Sequence, residues 1–329
     1  MIVITGAAGL IGCAVARELN RRGLDDLLLV DHCGETDKWM NMRSLRFRRY
    51  LEKDDFLEFM EGRRNFADLR PEQIRAVIHL GACSATTEKD ATYLMKNNYE
   101  YSVRIADFCA RADARLVYAS SAATYGEGEN GYEDDESQME KLRPLNPYGY
   151  SKQMFDLWLK RNDFAPGAAG IKYFNIFGPN EYHKGDMMSV VLKAFRQIRD
   201  EGMIRLFKSY RPEYRDGEQK RDFLYVEDAA RMTVYLTLDN REARGVFNAG
   251  CGEPNTWLTL TGAIFEAMGK KPNIEFIDMP EYIRERYQYY TCAPMDKLRG
   301  IGYTAPPTPL QDAVHDYVKN YLIPGELRA

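Results

Sequence analysis

Histidine is scarce in this 329-residue sequence. Its four residues, His32, His79, His183 and His315, stand far apart, and no metal centre is expected from them. The six cysteines, Cys13, Cys33, Cys83, Cys109, Cys251 and Cys292, are equally scattered, so neither a zinc site nor a disulfide framework is signalled. No apolar run approaches the roughly 18 residues that span a bilayer, and the first residues lack the layout of a secretory signal, so a cytoplasmic protein is expected. Excess charge of one sign is missing too: 45 Lys and Arg against 49 Asp and Glu leave a net charge of -4. That balance offers no basic field to nucleic acid or anionic lipid, and neither is an expected partner. There is no internal repeat and no low-complexity tract.

What is present is an ordinary globular composition, 45% hydrophobic and 29% charged, on a chain long enough for two domains. The chain opens with the short apolar run Ile2-Val3-Ile4-Thr5, then Gly6-Ala7-Ala8-Gly9-Leu10-Ile11-Gly12, then a helical stretch to Leu19. Leu27 to Val30 form a second buried run that ends on Asp31. Further strand candidates lie at 76–80, 115–119, 171–174 and 246–248, with helical patterns between them. Strands and helices in alternation predict an α/β fold, a Rossmann-type doubly wound parallel sheet. A smaller, discontinuous α/β substrate-binding domain is expected beside it. Residues 1–179 plus about 222–250 would form the dinucleotide-binding domain, and about 180–221 plus 251–329 the substrate domain. Regularity weakens after Pro179: a helix is expected near Met187 to Arg199, then the long polar stretch 208–221.

Gly6, Gly9 and Gly12 lack Cβ atoms, which allows a tight turn and lets a helix N-terminus approach a pyrophosphate. The spacing is G-x-x-G-x-x-G, and its place after a short N-terminal strand favours dinucleotide binding over a plain turn. Asp31 suits a ribose 2′-hydroxyl and so NAD. Lys38 and Lys53 follow closely and could neutralise the 2′-phosphate of NADP, or could be solvated surface charge, so the residues leave the choice open.

Pro147 suits the first turn of a helix, and Tyr148 and Lys152, four apart, then share one face. A phenol, with a reference pKa of ~10, becomes a useful base only when a nearby ammonium favours the phenolate. Tyr150, two residues from Lys152, points elsewhere. Tyr118 to Gly126 close the 115–119 strand at the edge where open α/β sheets bind ligands. Ser121 there could hold a reacting oxygen, with Thr124 as a second polar candidate.

Together these stretches, with His79 to Glu88, Pro147 to Lys152, Tyr173 to Pro179 and His183-Lys184-Gly185, resemble the extended short-chain dehydrogenase/reductase superfamily. Within it the likeness is to the nucleotide-sugar epimerases that act on ADP-linked heptose, and it covers nearly the whole chain. It departs in the insert after Phe207 and at Asp186, where the family carries a smaller residue. The resemblance implies an isomerase of lipopolysaccharide inner-core precursor synthesis, inverting C6 of an ADP-heptose. It implies NADP, with NAD possible, and a homo-oligomer, a pentamer. It places Leu10, Ile11, Asp31, His32, Lys38, Lys53, Leu80, Gly81, Ala82, Cys83, Ser84, Asn97, Lys152 and Ile176 on the cofactor, beside the glycines. Ser121, Asn175, Asp186, Lys193, Phe207, Lys208, Ser209, Tyr210, Arg221 and Tyr287 become the substrate side.

The implied reaction removes a hydride and a hydroxyl proton at C6 and returns the hydride to the opposite face. The sugar oxygen moves when the flat ketone turns over, and one fixed acid can hardly reach both positions. Two acid/base groups are expected: Tyr148, assisted by Lys152 and Ser121, and by resemblance Lys184. A 4,6-dehydratase of the same scaffold needs an acidic pair where this chain has Ala122 and Ala123. Another epimerase, a reductase, or a silent cofactor-binding protein differs only in the substrate lobe or in losing turnover.

Overall fold

The computed structural model describes residues 1–165, 167–284 and 287–329. Seven strands form one parallel sheet: β1 Ile2–Thr5, β2 Leu27–Asp31, β3 Arg49–Glu52, β4 Ala76–His79, β5 Arg115–Ser121, β6 Ala169–Tyr173 and β10 Gly245–Ala249. Their order is β10-β6-β5-β4-β1-β2-β3, so the winding reverses at β1, which pairs with both β2 and β4. The crevice above the carboxyl ends of β1 and β4 is where such a sheet takes a ligand.

The apolar runs read as buried strands because both faces of the sheet are covered. Ile2, Ile4, Leu27, Leu29, Ala76 and Ile78 pack into the core that includes Leu19, Val226 and Tyr317. Val3, Leu28, Val30 and Val77 point the other way, into a core with Phe56, Phe108 and Leu159. Strand β3 was not among the sequence candidates. It lies at the sheet's edge and fully buries only Leu51, which leaves too little apolar pattern to read.

After β6 the chain leaves the main sheet. A small sheet joins β7 Asn175–Phe177, β9 Lys220–Tyr225 and β11 Pro254–Thr256 in the order β11-β9-β7, and β8 Ile204–Phe207 pairs with β12 Ile274–Ile277. The sequence suggested a return to the large sheet from about Phe223. The structure differs: β9 pairs with β7 and β11, and the main sheet is regained only at Gly245. Phe223-Leu224-Tyr225 in β9 is as short an apolar run as Val246-Phe247 in β10, and such a run does not say which sheet its strand joins.

The helix Pro147–Arg161 follows from local signals. The Asn146 side chain accepts a hydrogen bond from Gly149 N at 2.8 Å, and Pro147 takes the first helical position. Tyr148, Ser151, Lys152, Phe155, Asp156 and Leu159 are buried along one face at a three-and-four spacing, with Gly149 and Gln153 buried beside them. The helix near 187–199 is present as Val190–Glu201. No helix among the described residues is long and apolar enough to cross a membrane.

Candidate active site

Two cavities lie at the ligand edge of the sheet. One, about 200 Å³, is lined by Gly6, Asp31, His32, Lys38, Lys53, Gly81, Ala82, Cys83 and Asn97 together with Thr5, Val30, Tyr93 and Tyr101. Nine residues expected at the cofactor thus come together. Gly9 caps the helix Leu10–Arg21 just beneath, and Leu10 and Ile11 turn into the core instead of into this groove. Leu80 also packs on the core. The approach is close: a Cβ on Gly6, whose φ is +70°, would lie 2.7 Å from Gly81 N, and one on Gly12 would lie 2.0 Å from Gly6 O.

The Asp31 carboxylate accepts from Ala8 N at 2.8 Å and His32 N at 2.7 Å, and it pairs with Lys38 Nζ at 2.6 Å. Lys53 donates to Asn97 Oδ1 at 3.1 Å and stands over the Tyr101 ring. The Tyr101 hydroxyl is buried and has no hydrogen-bond partner among the described residues.

His79 sits under this groove. The Ser102 hydroxyl donates to Asn98 O, so it accepts from His79 Nε2 at 2.9 Å, and Nδ1 accepts from Thr5 Oγ1 at 2.7 Å. Thr5 Oγ1 in turn accepts from Gly81 N at 3.1 Å. Burial, and next the Lys152 charge, push His79 down to about 3. An unfolded histidine titrates near 6.5. Between those values the unfolded chain binds a proton the fold refuses, so stability must fall as pH drops. Comparing urea unfolding at pH 7 and 4.5, His79→Gln should lose about 2–3 kcal/mol less than the parent. Equal losses would refute this.

The second cavity, about 370 Å³, holds Ser84, Ser121, Tyr148, Asn175 and Ile176 with Thr86, Ala122, Ala123, Met187, Met188, Trp257, Gln288 and Thr291 among its lining. Tyr148 is buried, which raises its phenol's pKa, while the neighbouring Ser121 hydroxyl pulls the other way. Tyr150 is 51% exposed and faces out. Lys152 Nζ donates to Ala119 O at 2.9 Å, and desolvation lowers it to about 8 against the pull of Asp156.

Lys184 lies outside this lining. It is half-buried in the 180–189 loop, whose Met187, Met188 and Ser189 do reach the cavity. Burial lowers its pKa, opposed by the nearby Glu181. That carboxylate ties the loop by accepting from the Ser189 hydroxyl at 2.7 Å.

The remaining substrate-side residues divide. Arg221 is buried beside Tyr287 and Trp257, its guanidinium 5.5 and 5.8 Å from their rings, and Phe207 meets Tyr287 edge-on. Lys208 and Tyr210 turn outward to Asp278, and Ser209 N binds Asp216. Asp186 and Lys193 are exposed and bound to each other through Asp186 O and Lys193 Nζ at 2.6 Å. Neither lines either cavity.

Sequence reasoning missed Tyr101, Asn98, Trp257, Gln288 and Thr291. Asn98 holds the Cys83 loop through its N–H and C=O at 2.9 and 3.0 Å and donates to Ser151 Oγ at 3.0 Å. A polar residue on a helix gives no spacing signal for such a role. Trp257, Gln288 and Thr291 reach the site only through folding.

The sequence model of the NAD dependent epimerase/dehydratase family matches residues 2–250. The chain is 48% identical over 322 residues to an ADP-L-glycero-D-manno-heptose-6-epimerase of Nitratidesulfovibrio vulgaris (strain DP4), covering 98% of each. It is 44% identical over 331 residues to one of Fusobacterium nucleatum, again covering 98% of each. Among solved structures, the Helicobacter pylori ADP-L-glycero-D-manno-heptose-6-epimerase superposes with a TM-score of 0.76 at 22% identity, covering 97% of this chain and 95% of that one. A UDP-N-acetylglucosamine 4-epimerase of Methanobrevibacter ruminantium M1 gives 0.77 at 21%, covering 97% and 96%. At those identities the two structures speak to the fold.

Proposed function

The chain belongs to the NAD dependent epimerase/dehydratase family, and from that premise we propose that it epimerises C6 of an ADP-linked heptose. It interconverts ADP-D-glycero-D-manno-heptose and ADP-L-glycero-D-manno-heptose, a precursor step for lipopolysaccharide inner core. The observation that carries this reading is the 48% identity, over 98% of both chains, to a protein described as that 6-epimerase. A homo-oligomer, pentameric by family likeness, is part of the same proposal.

The groove fits a dinucleotide. Gly6 and Gly81 bring bare backbone to its lining, packed so closely that a Cβ on Gly6 would lie 2.7 Å from Gly81 N, and the Tyr101 hydroxyl in that lining has no partner among the described residues. Gly6, Gly9, Gly12 and Gly81 would admit the pyrophosphate, and Asp31, Lys38, Lys53 and Asn97 the adenosine end. When bound, the dinucleotide supplies a nicotinamide that accepts a hydride from the sugar carbon and returns it.

NADP is the finer reading. Lys38 neutralises Asp31 at 2.6 Å, so the carboxylate no longer repels a 2′-phosphate, and Lys53 adds a second cation. Lys38→Ala is expected to weaken NADP binding by about tenfold or more, the worth of one charge-assisted hydrogen bond, and NAD binding far less. Titrations showing equal losses would refute the preference.

Tyr148 takes the hydroxyl proton of one epimer, and Ser121, against the same phenol, holds the reacting oxygen. Lys152 favours the phenolate from one turn along the helix, a task it performs as an ammonium. Lys184 serves the oxygen in its second position, and its lowered proton affinity suits a group that must give and take a proton. For that the 180–189 loop must bring Lys184 to the cavity when the sugar is bound. The absence of an acidic pair at Ala122 and Ala123 disfavours expulsion of water.

The test is NMR of either ADP-heptose epimer mixed with the purified protein, with no cofactor added in excess. Interconversion at C6 is the expected result. No conversion of either epimer, with turnover of another nucleotide sugar or consumption of NADPH, would replace this reading with the corresponding epimerase or reductase.

A further inference from the structure

We propose that the buried Lys172–Asp156 pair is a positioning device for Tyr148 and Lys152, locking their helix onto β5 and providing the counter-charge that keeps Lys152 an ammonium. The inference rests on the roles given to those two residues above.

Asp156 continues the face that carries them: Tyr148, Lys152 and Asp156 are spaced by four and all buried. Its Oδ1 accepts from the Tyr118 hydroxyl at 2.9 Å, and its Oδ2 from Ser120 Oγ at 2.7 Å and Lys172 Nζ at 3.0 Å. Lys172 Nζ donates onward to Thr124 Oγ1 at 2.6 Å, and Thr124 Oγ1 to Ser121 O at 2.8 Å. One continuous chain of hydrogen bonds therefore runs from the helix bearing the reacting tyrosine, through β6, to the backbone of Ser121.

The space for it is made locally. A Cβ on Gly170 would stand 2.4 Å from the Tyr118 ring, so only glycine there lets the phenol reach Asp156.

Both side chains of the pair are 1% exposed. A pair so buried adds little stability over apolar residues of the same volume, because desolvation offsets the attraction. Its placement against the site points to another role. Lys152 is faced by Asp156 from its own helix, by Cys83 from the loop after β4, and by the neutral His79 of β4. Asp156 is the carboxylate among them. Around Asp156 stand Lys172, Tyr118 and Ser120, with Tyr125 and Tyr148 also within its field. Desolvation alone would drive Lys152 toward the neutral amine, and Asp156 opposes it.

The pH profile of kcat/KM separates this from a purely structural role. An active site that needs the Lys152 ammonium loses activity as pH rises through that group's pKa. Asp156→Asn should move the alkaline limb about one unit lower, since one nearby opposite charge is worth about that much. Activity at pH 8.5 then falls about tenfold relative to the parent while the rate at pH 6.5 changes much less. The single variant leaves Lys172 buried and unpaired, so Asp156→Asn/Lys172→Gln, which removes both charges, serves as the variant that folds. Its alkaline limb should also be lowered, and Asp156→Glu should restore the limb toward the parent. A folded double variant whose limb coincides with that of the active parent overturns the inference and leaves the functional reading standing. A parent that epimerises at no pH overturns the functional reading itself.

Discussion

Tyr148→Phe and Lys184→Met are each expected to reduce C6 epimerisation by at least about 10²–10⁴-fold, the usual worth of one positioned acid/base group. Cofactor content should be unchanged. Tyr148 shares its cavity with Ser121 and adjoins the dinucleotide groove without lining it, and Lys184 lines neither cavity. Removing a phenolic oxygen or an ammonium therefore leaves the contacts expected to hold the dinucleotide in place. NMR turnover assays checked against the absorbance of bound nucleotide distinguish the two effects. A variant of either kind with parental rates would defeat the two-base scheme. Loss of bound dinucleotide in either one would move that residue from acid/base chemistry to cofactor retention.

Gly12→Ala is expected to abolish dinucleotide binding and to cost about 1–3 kcal/mol of stability, as overpacking of a close backbone contact does. The added methyl would stand 2.0 Å from Gly6 O, 2.8 Å from Gly6 C and 2.9 Å from Ala7 Cα, all of them backbone. No side chain can swing away to relieve the clash. The glycine turn and the first turn of the helix Leu10–Arg21 must separate, and the backbone N–H groups offered to a pyrophosphate move with them. Gly23→Ala makes a useful contrast: nothing lies within 4 Å of its added Cβ, and its φ of +77° leaves only backbone strain, far from the groove. Fluorescence titration with NADP and thermal melts of both variants check the expectation. A Gly12→Ala protein that binds the dinucleotide normally would show that the turn does not set the approach.

Local features of this chain are legible in its sequence, and each is governed by neighbours in sequence. The Gly6, Gly9 and Gly12 turn follows from a short strand meeting a helix. The Tyr148/Lys152 face follows from the 3.6-residue helical period, with Asn146 and Pro147 marking the start. Six of the seven main-sheet strands show as apolar runs because a parallel sheet buries both faces. The seventh, β3, buries one residue and shows no such run.

Other assignments needed residues that only folding brings together. Lys208 to Tyr210 looked like substrate contacts by likeness, yet Asp278 and Asp216 draw them to the surface side of the insert, while Arg221, Tyr287 and Trp257 form the buried cluster. Lys184 reads in sequence as a loop lysine. Its lowered proton affinity comes from burial and its restraint from Glu181, neither of which has a spacing rule.

By itself the amino-acid sequence determined the winding of strands and helices, the glycine approach and the tyrosine–lysine face, because those depend on backbone period and on side chains within a turn of each other. The tertiary structure alone decided which sheet β9 would join, that Lys38 cancels Asp31, and that Asp156, Lys172 and Thr124 connect one strand's end to another's helix. Those arrangements depend on burial and on charges many residues apart in the chain, and such distances exist only once the core has closed.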